Sequence, residues 1–270
     1  MKISFIVPAY KTPEKLLARC LASIEWFCRD SGIEYETIII SDPVVQSIAR
    51  NIGLRRAVGD WIWFIDADDE VVAGMDVVAA AKNAVADIIV FAFEQRWGRF
   101  GSRTRFVPPI DFRDKLSEEC IVREGKCQMF RVLWNKLFRR SFLEEKKIMF
   151  DECMEPCEDG MFMIRCVMAG ARWYPIDSIG YIYWRRLSSS LFRYCPTLER
   201  AIRKENSMWD AAVECLSYKN LSKCKWSDRT LLLMLEENRI NAGAYDNVSL
   251  LSKIRYRMVQ FRRLLRYIKI

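Results

Sequence analysis

A short apolar strand that runs directly into three carboxylates constrains this chain more than any other segment. Residues 61–65 read as a buried strand, and the segment 66–69, Asp-Ala-Asp-Asp, follows at its carboxyl end. Open α/β sheets bind ligands at this end of their strands. Three acids in four residues repel one another unless a cation, a sugar hydroxyl or water takes up their lone pairs. The segment therefore predicts either a ligand site or an acidic turn in which Asp68 or Asp69 caps the next helix.

Oxygen ligands dominate the metal chemistry that this chain offers, because it contains no histidine. Carboxylates suit hard divalent cations, which commonly bridge a protein acid and a substrate phosphate. The acidic segment therefore favours Mn²⁺ or Mg²⁺ over zinc.

The bulk composition is that of a folded protein. The chain has 270 residues, 51% hydrophobic and 29% charged, which is enough for a full core and argues against disorder. Ten cysteines without a leader-like amino terminus predict free thiols in a reducing cytosol. No stretch approaches the roughly 20 apolar residues that cross a bilayer.

Strand and helix patterns alternate along the first part of the chain. Strands are predicted over 3–8, 35–40, 61–65, 87–93, 134–138 and 179–184, and helices over 13–27, 46–58, 71–84 and 160–169. Gly59 is expected to close the second helix, and residues 96–105 read as an exposed loop or hairpin. The alternation predicts an α/β fold, a mostly parallel sheet with helices on both faces.

Two further groups of side chains suit ligand chemistry. Tyr10 and Asp42 leave the first two strands at the same sheet edge, where a ring and a carboxylate can hold a nucleotide base. Glu158 and Asp159 open a predicted helix and offer a general base. A proline turn with a partly buried tyrosine and simple helix capping are the alternatives. Arg50 can contact a diphosphate or pair with Asp60 or another acid.

Eight short motifs together resemble family 2 glycosyltransferases of the GT-A fold, over about residues 3 to 190. They are Val7-Pro8-Ala9-Tyr10, Ser41-Asp42, Ala49-Arg50-Asn51, Ala57-Val58-Gly59-Asp60, Phe64-Ile65-Asp66-Ala67-Asp68-Asp69, Trp134-Asn135-Lys136-Leu137, Glu158-Asp159 and Tyr183-Trp184-Arg185. Each motif is weak alone, and their joint order carries the likeness.

The resemblance implies a role for each matched position. Pro8, Tyr10 and Asp42 would border the nucleotide base, and Arg50 would position the nucleotide. Asp66 would lie near the ribose and sugar and Asp68 would bind the metal, with Asp66 beside it in the Asp-X-Asp pattern. Asp159 would deprotonate the acceptor with support from Glu158. Trp134 would line the acceptor side and Lys136 the diphosphate side.

Two departures from the family pattern stand out. Family members usually place another strand and helix between the base-binding aspartate and the Ala-Arg-Asn motif, whereas only residues 43–48 intervene here. One βα unit is therefore apparently deleted, which affects the far wall of the base pocket. Lys11 also follows Tyr10 where an asparagine is common.

The carboxyl-terminal part of the chain reads as helical. We expect a catalytic domain over 1–195 and a helical extension over 196–270. Residues 247–270 carry seven Lys or Arg and no acid around one apolar stripe, a pattern that suits an anionic membrane surface or a helix docked on the domain.

Taken with the resemblance, the sequence predicts an inverting hexosyltransferase that is metal-dependent. Its partners would be a nucleotide-sugar donor, with UDP-sugars favoured, and a glycan or glycolipid acceptor, as in surface polysaccharide or lipopolysaccharide biosynthesis. It would be cytoplasmic, with the inner face of the plasma membrane as a peripheral site. The rival predictions are a catalytically inactive nucleotide-sugar or glycan-binding protein and a nucleic-acid-binding protein; the acidic clusters count against nucleic acid.

Overall fold

The computed structural model describes residues 1–72, 74–83, 85–97, 103–108, 132–152 and 158–185. The described strands are β1 (Lys2–Pro8), β2 (Glu34–Ile40), β3 (Trp61–Phe64), β4 (Glu70–Val71), β5 (Ile88–Trp97), β6 (Arg103–Phe106), β7 (Lys136–Arg139) and β8 (Trp173–Arg185). The described helices are α1 (Glu14–Ser31), α2 (Gln46–Arg56), α3 (Met75–Asn83), α4 (Arg140–Glu145) and α5 (Glu158–Met168).

The strands form one mixed sheet in the order β2-β1-β3-β7-β5-β8-β4, with β6 paired to β5. The pairs β1/β2, β1/β3 and β5/β8 are parallel, and the long β5/β8 ladder contains a bulge. The pairs β3/β7, β5/β7, β4/β8 and β5/β6 are antiparallel. The α/β fold is confirmed. The sheet is mixed rather than mostly parallel, although its two longest ladders, β1/β2 and β5/β8, are parallel.

Helices cover both faces of this sheet, as predicted. On one face, the ring of Phe5 in β1 contacts Phe27 of α1 and Trp63 of β3, with ring centroids 6.3 and 5.4 Å away. On the other face, α2 approaches β1 closely, because a Cβ on Gly53 would lie 2.3 Å from Ile6 Cγ2. Neighbouring strand residues point to opposite faces, so Phe5 and Ile6 anchor the two layers.

The connection between β2 and α2 is short. β2 ends at Ile40 and α2 begins at Gln46. Within the described part of the chain, β2 pairs with β1 alone and ends the sheet. This arrangement agrees with the predicted loss of one βα unit at this position.

Two local predictions need correction. α3 begins at Met75 rather than Val71, because residues 70–71 pair with β8 as β4. α2 ends at Arg56 with an extended cap at Ala57, so Gly59 does not close it. Gly59 instead permits close approach of β1, since a Cβ there would lie 2.7 Å from the Ser4 nitrogen. Antiparallel pairing of β5 with β6 agrees with the hairpin alternative for 96–105, of which residues 98–102 lie outside the described residues.

Within the described residues, no helix has the length and apolar character required to cross a membrane. The predicted domain boundary near residue 195, the helical extension over 196–270 and the basic segment 247–270 lie outside the described residues.

Candidate active site

The acidic segment forms a tight turn at the carboxyl end of β3. Ile65 donates its N–H to Ile6 O at 2.9 Å, and Asp69 donates its N–H to Asp66 O at 3.0 Å. The next helix does not begin until Met75. The alternative in which Asp68 or Asp69 caps that helix is therefore wrong.

Asp69 anchors this turn to β8. Its carboxylate is 1% exposed and accepts hydrogen bonds from Tyr181 Oη at 3.0 Å and from the Trp184 N–H at 2.8 Å. The same tyrosine hydroxyl accepts the Asp66 N–H at 3.2 Å. Burial raises the pKa of Asp69 well above its usual value, with the charges of Asp66 and Asp68 adding to the rise. Asp69 is a structural acid that ties the turn to β8.

Arg19 of α1 holds the turn from the other side. Its Nη2 donates to Asp68 O at 2.8 Å, and its Nε lies 3.0 Å from Glu70 Oε1. Its guanidinium carbon also lies 4.8 Å from the Trp184 ring centroid. Arg19 was not predicted to hold the turn, because Asp68 and Glu70 are about 50 residues away in sequence and the pattern of α1 shows only an apolar stripe.

Asp66 and Asp68 remain partly exposed at the sheet edge. Burial raises the pKa of Asp66 to about 6, while Arg50 opposes the rise and Asp68 and Glu158 add to it. The described residues contain no group of three or more potential ligands that would hold a metal unaided. Mg²⁺-type sites commonly use one or two carboxylates together with substrate phosphates, so this pair fits a cation that arrives with a diphosphate.

Arg50 of α2 joins the two acidic clusters. Its side chain is 3% exposed, and its Nη1 donates to Asp159 Oδ1 at 2.6 Å and to Glu158 Oε1 at 2.9 Å. Its Nη2 lies 3.6 Å from Asp66 Oδ1. Carboxylates separated by more than 90 residues in sequence therefore meet at a single guanidinium. The alternative in which Arg50 pairs with an acid is therefore the one observed, with these acids in place of Asp60.

Asp159 lies in the first turn of α5 and is the more accessible acid of its pair. Its side chain is 28% exposed, against 10% for Glu158. Burial raises the pKa of Asp159 to about 8, with Arg50 opposing the rise and Glu158 and Asp66 adding to it. A carboxylate with a raised pKa is a stronger base, which suits removal of a proton from a hydroxyl.

The predicted nucleotide-side residues lie at the same edge of the sheet. Pro8 ends β1 opposite Ile40 of β2, and Ala9 donates its N–H to Ile40 O at 2.8 Å. Tyr10 follows with 46% exposure, and Asp42 is exposed just beyond β2. Because β1, β2 and β3 are parallel, their carboxyl ends bring these side chains to the edge that carries the acidic turn.

Lys11, where an asparagine is common in the family, has a left-handed backbone with φ of 58°. Asparagine tolerates this conformation better than most residues do. The lysine Nζ lies 5.0 Å from the Tyr10 ring centroid. The departure from the family pattern therefore places a cation beside the exposed ring.

Trp134 and Lys136 are buried, contrary to the expectation that they line the ligand site. Trp134 is 4% exposed and stacks on Tyr181 and Tyr183 at 4.7 and 5.4 Å. Lys136 is fully buried and its Nζ donates to Asn135 Oδ1 at 2.7 Å and to Val132 O. Burial lowers the pKa of Lys136 well below its usual value, although the charge of Asp159 opposes this. β7 lies between β3 and β5, so its side chains enter the core.

Comparison with solved structures defines the class of fold. The structure of S. aureus TarS 1–349 in complex with UDP-GlcNAc superposes with a TM-score of 0.63 at 17% identity, covering 94% of this chain and 78% of that one. The mixed sheet with carboxylates at the carboxyl ends of its strands is therefore a GT-A fold. Sequence comparison adds a partial match, because the model of Glycosyl transferase family 2 matches residues 44–145 of the 270-residue chain. This match confirms the resemblance to family 2 glycosyltransferases over that segment.

Two relatives are each about a quarter identical to this chain. The chain is 24% identical to the uncharacterized glycosyltransferase EpsJ of Bacillus subtilis (strain 168), over 75% of this chain and 67% of that protein. It is 25% identical to the succinoglycan biosynthesis protein ExoO of Rhizobium meliloti (strain 1021), over 69% of this chain and 62% of that protein. The chain thus spans about two thirds of the length of these relatives.

Proposed function

We propose that this protein is an inverting, metal-dependent hexosyltransferase that moves a sugar from a UDP-sugar to a hydroxyl of a glycan or lipid-linked acceptor. The observation that carries the proposal is the meeting of Asp66 with Glu158 and Asp159 at Arg50. Transfer with inversion needs a leaving-group site and a base close together, and these two clusters supply both. The family match supports the reaction class.

The donor would lie along the carboxyl edge of β1, β2 and β3. Tyr10 offers an exposed ring for the base and Asp42 offers an acceptor for a base N–H. Asp66 and Asp68 would hold Mn²⁺ or Mg²⁺. When bound there, the cation supplies positive charge to the diphosphate as it leaves. The UDP-GlcNAc complex of the TarS structure favours a UDP-sugar as the donor class.

Asp159 would act on the acceptor side. Its carboxylate takes the proton of the attacking hydroxyl while the acceptor oxygen forms a bond to the anomeric carbon. The bond from that carbon to the diphosphate oxygen breaks, and its electron pair leaves with UDP. Glu158 keeps the base in a negative environment that increases its affinity for a proton.

The biological setting is proposed from the relatives. EpsJ is described as a glycosyltransferase and ExoO as a succinoglycan biosynthesis protein. We therefore propose a growing surface polysaccharide or lipopolysaccharide as the acceptor. Attachment to an anionic membrane through 247–270 stays a prediction.

The test is a panel of UDP-, GDP- and dTDP-sugars with Mn²⁺ or Mg²⁺, followed by nucleoside diphosphate release and by the melting temperature. We expect release with a UDP-sugar that requires the cation, and loss of release in Asp68→Ala. Asp30→Ala, at an exposed position in α1, is the matched control. A ligand that binds only the folded chain raises the melting temperature. Stabilisation by a nucleotide sugar without any release would favour the noncatalytic binding protein.

A further inference from the structure

Arg50 is surrounded by protein rather than presented to solvent. Its side chain is 3% exposed, and among the described residues it forms ion pairs with Asp159, Glu158 and Asp66. The two shorter contacts, at 2.6 and 2.9 Å, both go to the cluster that carries the base. This geometry differs from the nucleotide-positioning role that the family resemblance implies for Arg50.

We propose that Arg50 is a positioning residue for the general base, holding Asp159 toward the donor cluster rather than binding the nucleotide itself. This inference rests on the proposed transferase function and deepens it. Arg50 would act on the reaction through the carboxylate that it orients, so it is not itself expected to touch the substrate.

The shape of the guanidinium suits this task. Arginine presents five N–H donors in a rigid planar fork, whereas lysine offers a single ammonium on a flexible stem. Here Nη1 serves Asp159 and Glu158 while Nη2 faces Asp66. One planar group therefore sets the position of acids from both clusters at once. A lysine would preserve the charge and lose this simultaneous geometry.

The surroundings of Arg50 fix it to the helix that carries the base. The guanidinium carbon lies 5.5 Å from the ring centroid of Phe150. That ring stacks on Phe162 of α5 with centroids 4.2 Å apart and planes 15° apart. Asn51, the next residue in α2, binds both the N–H and the C=O of Phe150. Arg50, its aromatic support and Asp159 thus form one packed unit.

Electrostatics explains why the base needs this support. Asp159 lies close enough to Glu158 and Asp66 for their negative charges to act on it. Without the Arg50 guanidinium between them, these like-charged carboxylates repel one another and favour other rotamers. A displacement of about 1 Å from a productive geometry can lower a rate about 100-fold. Loss of the Arg50 guanidinium is therefore expected to lower the rate of turnover more than the affinity for the donor.

The experiment compares Arg50→Lys with wild type in two assays. The first measures the rate of UDP release from UDP-GlcNAc with Mn²⁺ at saturating donor, and the second measures the Kd of UDP with Mn²⁺ by calorimetry. We expect Arg50→Lys to lower kcat about 100-fold while the Kd stays within about threefold of wild type. Arg56→Lys, an exposed arginine in the same helix, is the matched control and should leave both values unchanged.

A second variant gives a readout that a purely structural role would not produce. Arg50→Ala leaves space for a small cation, so guanidinium chloride at low concentration should restore part of the lost turnover. Sodium chloride at equal ionic strength should not. Melting curves of both variants establish that they are folded.

Several results would overturn the inference. A rise in the UDP Kd that matches the loss in kcat/KM, with kcat unchanged, would show that Arg50 binds the nucleotide. Wild-type turnover in Arg50→Lys, or unfolding of Arg50→Lys, would also contradict a positioning role. Absence of UDP binding and of release in wild type would instead refute the proposed function on which the inference rests.

Discussion

Replacement of Asn51 by alanine should cost this protein a large part of its stability. The Asn51 side chain donates to Phe150 O at 3.0 Å and accepts the Phe150 N–H at 2.9 Å. It also donates to Glu152 Oε1 at 2.9 Å. Asn51 is 2% exposed and Phe150 is 3% exposed, so water does not readily replace the lost partner. The substitution therefore leaves a backbone donor and a backbone acceptor unpaired in the core.

The expected loss of stability follows from the unpaired N–H and C=O of Phe150. Leaving a buried polar group unsatisfied costs about 1–3 kcal/mol, so Asn51→Ala should lower the free energy of unfolding by about 4 kcal/mol. For a chain of this size, each kcal/mol lowers the melting temperature by about 2–4 °C, which gives a fall of about 8–16 °C. The control is Asn83→Ala at the exposed end of α3, where a change within about 0.5 kcal/mol is expected.

Thermal melting and urea denaturation, each followed by circular dichroism, measure both variants. Asn51→Ala should also lower turnover, because Asn51 holds the backbone of Phe150, and the ring of Phe150 packs beside Arg50. A free energy of unfolding for Asn51→Ala within about 1 kcal/mol of wild type would refute the assignment of these buried hydrogen bonds.

Three further perturbations test the described contacts. Because burial raises the pKa of Asp159 to about 8, kcat/KM should rise with pH up to that region and then level off. The contribution of Asp159 to the free energy of unfolding is present at low pH and is lost as the pH rises through that region. A flat pH profile of kcat/KM would contradict the assignment of Asp159 as the base. Gly53→Ala places a methyl group 2.3 Å from Ile6 Cγ2 and should destabilise the fold by about 1–3 kcal/mol in urea titrations; a neutral result would show that α2 can shift away from β1. Asp69→Asn should lower the melting temperature, because the amide keeps one acceptor oxygen but places an NH2 donor where the second oxygen accepted from Tyr181 or from the Trp184 N–H. Unchanged melting would contradict the role of Asp69 as the anchor of the acidic turn.

The parts of the fold that were predictable depend on local sequence signals. The strand over 61–64 and the turn that follows it are visible because apolar residues pass abruptly into acids. The helix bearing Asp159 was predicted from its acidic first turn and apolar spacing. The order of short motifs identified the family, which periodicity alone does not do.

The contacts that were not predictable are long-range. Arg50 meets Glu158 and Asp159 across 108 and 109 residues, and no local pattern specifies this pairing. The dependence on long-range contacts also explains why Trp134 and Lys136 were wrongly predicted to line the ligand site. Their motif suggested a ligand-facing segment, but β7 lies in the middle of the sheet, and the aromatic stack on Tyr181 buries the tryptophan. Burial depends on strand order, which single-sequence reasoning does not supply.

The most direct test of the account is the effect of Asp159→Asn on sugar transfer. The substitution keeps the shape of the side chain and removes its capacity to accept a proton as a base. UDP release from UDP-GlcNAc with Mn²⁺ and UDP affinity by calorimetry are measured for wild type and variant. We expect cation-dependent release by wild type, a loss of at least about 100-fold in kcat in the variant, and unchanged UDP binding. Equal turnover by Asp159→Asn and wild type, with both folded, would contradict it.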